Sequence, residues 1–185
     1  MKDQQLRIII TVTYVLFLIV SFLLPFYSFE GYSILRNTTS HLGAQGSPNA
    51  WLMNTVFIIL GLVAILRTYP TGVLFTRVLG FLFGLSLILT GVFRHAALTG
   101  SVQINHPHDS LHSIFATTTG FSFALLAVGH AIMNKGNQRY VALFMAAVAI
   151  VIPLVMFNFP SLMGIFQRLM FITAFGWLFF YLKPQ

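Results

Sequence analysis

Six stretches of this chain are apolar almost without interruption, and short polar stretches separate them. Hydrocarbon offers no partner for free backbone groups, so an apolar run of about 20 residues reads as a membrane-spanning helix. The pattern predicts spans at about 6–27, 48–66, 77–93, 108–133, 140–157 and 164–182. The first could imitate a signal peptide. Its apolar run outlasts the ~7–15 residues of such a signal and no A-x-A exit follows, so it reads as the first span. Ser47-Pro48 suits a helix cap followed by proline at the first helical position. In the third span Gly80 and Gly84 form a small-xxx-small pair, with Gly91 on nearly the same face, which suits close helix contact. The expected fold is all-α: residues 1–185 as a single polytopic membrane bundle of six transmembrane helices.

Composition agrees and narrows the picture. Of 185 residues, 57% are hydrophobic and only 7% charged, whereas a soluble domain carries about 25% charged residues. The net charge of +7 would suggest nucleic acid in a soluble protein. Here the cations stand singly in short loops with no basic run, which points to bilayer orientation and anionic headgroups and away from nucleic acid. With no cysteine in the chain, disulfides, thiolate metal ligands and a cysteine nucleophile are excluded. With six spans both termini share a side with Lys2, Arg7, Arg67, Arg77, Lys135, Arg139 and Lys183, while Arg36, Arg94 and Arg168 occupy the other. The excess of positive charge predicts that both termini are cytoplasmic.

Polar residues gather on the opposite, outer side. The first outer loop carries Glu30, Arg36, Ser40, His41 and Gln45, with Asn49 and Asn54 opening the second helix. The second carries Arg94, His95, His106, His108, Asp109 and His112; the third adds Asn158, Gln167 and Arg168. Ionisable groups near membrane depth are costly and usually functional, although interfacial loops are polar in any case. His108 and His112 stand at i and i+4, so a helix would turn both imidazoles one way, as a divalent metal such as zinc requires. A third ligand would have to come from His41, His95 or His106. Asp109 would orient a ligand histidine or act as a general base; equally, it could simply cap the fourth helix. Arg36, Arg94 and Arg168 would hold a phosphate or carboxylate bidentately, unless they only snorkel to lipid phosphates. Ser40 is a candidate nucleophile beside His41, yet adjacency alone makes no catalytic pair, and both residues also suit a loop-shaping role. Haem is disfavoured: His112 and His130 lie 18 residues apart on one helix, roughly 27 Å at ~1.5 Å per residue, and cannot share one haem.

The run Thr39-Ser40-His41-Leu42-Gly43-Ala44-Gln45-Gly46-Ser47-Pro48-Asn49-Ala50, with Met53-Asn54 and Gly61 after it, carries a wider likeness. Together with Gly91-Val92-Phe93, Leu111-His112-Ser113 and Gln167-Arg168, it resembles the integral-membrane family known as domain of unknown function 998. The likeness extends over nearly the whole chain. It implies a prokaryotic multi-pass protein of the cell membrane, with no established reaction. The family pattern sets a proline and an acidic residue after the phenylalanine, where this chain has Arg94-His95, so Asp109 is the candidate substitute.

Two functional expectations follow. One is a hydrolase or transferase, metal-dependent if His108 and His112 bind a divalent ion, with Asp109, His112 and Ser40 catalytic. Its substrate would be a lipid or other amphiphile held by Arg36, His41, Asn49, Asn54, Arg94, Gln167 and Arg168. The other is a non-enzymatic protein, namely a lipid-binding module, small transporter or partner subunit using the same pocket. A transporter is expected to carry polar or broken helices near the midplane, where only Asn54, Thr90 and Thr119 are candidates.

Overall fold

Each apolar run solves the backbone hydrogen-bonding problem within itself. In the computed structural model, which describes residues 3–100 and 102–182, the described residues form helices and no strands. The first helix, α1 (Asp3–Leu23), runs into a 3₁₀ turn, Leu24–Tyr27, and a four-residue α2 (Thr39–Leu42) sits in the following loop. Then come α3 (Ala50–Thr68), α4 (Leu74–Val92), α5 (His106–Met133) and α6 (Gly136–Asn158). The last, α7 (Met163–Gly176), follows the 3₁₀ turn Pro160–Leu162 and continues as a π-helical segment, Trp177–Tyr181. Six of these helices are long and apolar enough to cross a membrane. Lys2 and Lys183, used in the charge comparison, lie outside the described residues.

The helix boundaries moved where side chains found other partners. Ser47 does not cap the second span: its hydroxyl donates to the His41 carbonyl at 3.0 Å, and the helix starts two residues after Pro48. The cap position is Asn49, in the left-handed region at φ 56, a conformation that asparagine tolerates better than most residues. Nor does Asp109 cap α5; Asn105 does, its side chain accepting the His108 N–H at 3.1 Å.

The glycine pair behaves as its spacing predicts. A Cβ at Gly84 would strike the Gly61 carbonyl, and one at Gly61 would strike that of Gly84, so α3 and α4 touch backbone to backbone. Gly91 stands in the same way against the Asn54 carbonyl and Gly80 against Thr68. Aromatic residues of α7 and its π-helical extension face the other spans. Phe171 meets Phe17 and Phe57, Phe175 meets Phe17 and Phe83, and Trp177 meets Phe123, with ring centroids 5.5–6.4 Å apart. Such offset and edge contacts fill the bundle centre without needing polar partners.

By contrast, α6 is loosely held. It buries only Ala142, Met145 and Ala146, and it carries Pro153 in its interior, which removes one backbone hydrogen bond. An even number of spans brings the start of α1 and the end of the last span to one end of the bundle. There Arg67, in the last turn of α3, donates to the carbonyls of Phe179 and Leu182. The opposite end carries five of the six histidines.

Candidate functional site

The first long loop is organised around His41. Its Nδ1 accepts the Thr38 backbone N–H and the Asn37 side-chain amide, each at 3.2 Å, while the Asn37 Oδ1 takes the Ser33 N–H at 2.9 Å. Histidine thus fills the place a glutamate or glutamine takes in a capping box. A backbone N–H can only donate, so Nδ1 is the acceptor and the neutral ring carries its proton on Nε2. Burial, and then the neighbouring His95, Arg168 and His112, push the His41 pKa down to about 4.

His41 starts a row of three imidazoles. Its ring lies 5.0 Å from that of His95, which lies 5.5 Å from that of His112, both edge to face. His112 is buried, and its Nδ1 sits 3.0 Å from the Thr90 carbonyl and 2.9 Å from that of Phe93. These carbonyls close the end of α4, where the last C=O groups have no helical partner, so His112 of α5 supplies the donor. His95 similarly turns Nδ1 to the Ala96 carbonyl at 3.0 Å. Carbonyls only accept, so both rings carry their proton on Nδ1 and keep an acceptor lone pair on Nε2. Asp109 secures the loop beneath them by accepting the Ala96 N–H at 2.7 Å. Gln45 joins the two loops, donating to the Arg94 and Asn105 carbonyls and accepting the Asn105 N–H.

Several residues expected to bind substrate hold the loop instead. Arg168 is fully buried, 0% exposed. Its guanidinium donates to the carbonyls of Ser21, Ile34, Asn37 and Gly164 and to the Tyr32 hydroxyl, at 2.7–3.2 Å. Gly164 lets those loop carbonyls approach, since a Cβ there would strike Ile34 and Asn37. Arg36 and Arg94 are exposed, so the three arginines form no common anion clamp. Asn54 is buried with its amide on the Gly43 carbonyl at 3.0 Å, and Asn49 donates to the Tyr27 carbonyl at 3.3 Å. Tyr32, against Arg168, has its pKa raised by burial, with the guanidinium opposing.

The metal expectation lacks its third ligand. His108 turns its ring against Phe93, with centroids 5.4 Å apart, and His106 is exposed. Among the described residues no three His, Cys, Asp or Glu side chains form a set that could hold a metal ion.

Beneath the histidine row lies a feature that the polar pattern did not reveal. A cavity of about 580 Å³ runs between α5, α6 and α7, walled by Phe57, Phe83, Leu87, Phe123, Phe171 and Phe175. Ser40, Thr90 and Gln167 contribute its polar surface near the loop end, and Thr117 and Thr119 add hydroxyls farther along α5. Phe121 and Leu154 also line it while being 69% and 61% exposed at the bundle surface. The cavity therefore opens between α5 and α6, within the spans. The only sequence signals for it are small and helix-disturbing residues inside two spans, Gly120 and Pro153.

The family model described as "Protein of unknown function (DUF998)" matches residues 11–182. The chain belongs to the DUF998 family. The DUF998 match runs from α1 to the end of the described chain, so it takes in the histidine row, the Arg168 clamp and the cavity. No curated protein and no solved structure matches the chain.

Proposed function

We propose that this membrane protein binds an amphiphile taken laterally from the bilayer, with the chain in the cavity and the polar part at the Ser40–Gln167 end. The carrying observation is the cavity itself, apolar along its length, polar at one end and open between α5 and α6. Its volume of about 580 Å³ falls within the ~300–1,000 Å³ typical of small-molecule sites. The charge asymmetry supports a histidine-bearing end that faces outward across a prokaryotic plasma membrane, so the ligand would come from the outer leaflet.

Binding is favoured over turnover by the state of the side chains. Ser40 has no base in His41, whose Nδ1 lone pair is engaged by Thr38 and Asn37. A metal-dependent hydrolase or transferase finds no third ligand among the described residues.

The reading is tested with an alkyl diazirine probe and the protein in lipid nanodiscs. Labelling should concentrate at residues 117–124 and 149–156. Gly120→Phe, at a position where a Cβ meets no atom within 4 Å, should lower it about tenfold by filling the cavity. Labelling spread evenly over all six spans would overturn the proposal.

A further inference from the structure

The cavity's polar end offers hydrogen-bond donors and no charge. Gln167 shows this most clearly. Its Oε1 accepts the Thr39 N–H at 2.8 Å and the Thr39 hydroxyl at 2.7 Å. The backbone N–H can only donate, which fixes the orientation of the amide and leaves both Nε2 hydrogens without a partner among the described residues. The Ser40 hydroxyl likewise has no partner among them, and both side chains line the cavity. Thr90 and Thr119 differ, because their hydroxyls donate to the Ser86 and Phe115 carbonyls of their own helices. Among the described residues, no Asp, Glu, Lys, Arg or His side chain lines the cavity.

From this arrangement we infer that the cavity takes an uncharged lipid whose single chain carries an acceptor oxygen, such as an ester carbonyl, close to its polar end. The inference rests on the amphiphile-binding reading and adds the chemical class of the ligand. A carboxylate or phosphate inside the cavity would lose its hydration with no cation to replace it, a cost an uncharged carbonyl avoids. A plain alkane would fill the apolar walls and leave the Gln167 amide and Ser40 hydroxyl unsatisfied. A carbonyl oxygen has two lone pairs, enough to accept from both groups at once.

The test is competition in nanodiscs against a monoacylglycerol carrying a mid-chain diazirine. The competitors are an unlabelled monoacylglycerol, the 1-O-alkylglycerol of equal length, the corresponding fatty-acid anion and an alkane. The ester should displace the probe at concentrations about five- to tenfold below those of the ether, the advantage expected of a hydrogen bond to the carbonyl oxygen that the ether lacks. The anion and the alkane should be weaker still. Ser40→Ala and Gln167→Met should each narrow the ester–ether difference. Ser40→Ala serves even if Gln167→Met disturbs the loop through Thr39.

Equal competition by ester and ether overturns the donor site and leaves the amphiphile cavity standing. Stronger competition by the anion overturns the uncharged class. Absence of labelling at α5 and α6 by every probe overturns the cavity reading as well.

Discussion

His41 shows how one side chain can set both a loop's geometry and its response to pH. Its neutral ring accepts two N–H groups that protonation would repel, and its pKa is pushed down to about 4. An unfolded histidine titrates near 6.5. Between those values the unfolded chain binds the extra proton and the folded one does not, so stability rises with pH across that interval. The His41 contribution is complete above about pH 6.5 and is lost as pH falls towards about 4. His41→Gln keeps an acceptor for Thr38 and removes the titration. Thermal unfolding of detergent-purified protein should show a shallower fall of Tm between pH 6.5 and 4 in that variant than in the parent. Parallel Tm profiles would show that His41 does not titrate with folding. Arg168 teaches the complementary lesson. As letters in the sequence, Arg36, Arg94 and Arg168 look alike, yet only Arg168 is enclosed by carbonyls, and enclosure is a property of the neighbours.

At the scale of elements, the close-contact face of α4 was legible because glycine spacing acts through local helix geometry, while its partner, α3, came from the packing. Gly84→Ile should be destabilising, by about 1–3 kcal/mol or more, because its side chain would meet the Gly61 backbone and Ile65. Gly120→Ala, where an added Cβ meets nothing within 4 Å, should be neutral or stabilising by up to ~1 kcal/mol. Thermal unfolding of both variants checks the contrast, and equal Tm values would contradict the close packing. The six apolar runs were also legible, to within a few residues at their ends. Those ends shifted where Ser47 turned back onto the His41 carbonyl and Asn105 took the cap of the His108 N–H.

For the whole molecule, the arrangement follows from six spans and an uneven charge distribution. Because the chain has no native cysteine, single cysteines can report topology. Glu30→Cys should react with an impermeant maleimide in intact cells, and Gly72→Cys only after lysis. The reverse pattern would invert the proposed orientation. At this scale the loops of the histidine-bearing end also join, through Gln45 between the first two and through Arg168 between the first and α7.

The sequence by itself determined the number of spans, the close-contact glycine face of α4, and the gathering of histidines at one end. These features depend on hydrophobic runs and helical periodicity, which act over a few residues. The tertiary structure decided which polar groups remain available. It committed Arg168, Asn54 and the Nδ1 atoms of three histidines to internal hydrogen bonds, and left Ser40 and the Gln167 amide facing an apolar cavity. Availability depends on which distant carbonyls and rings surround a side chain, and that is settled only when the helices pack.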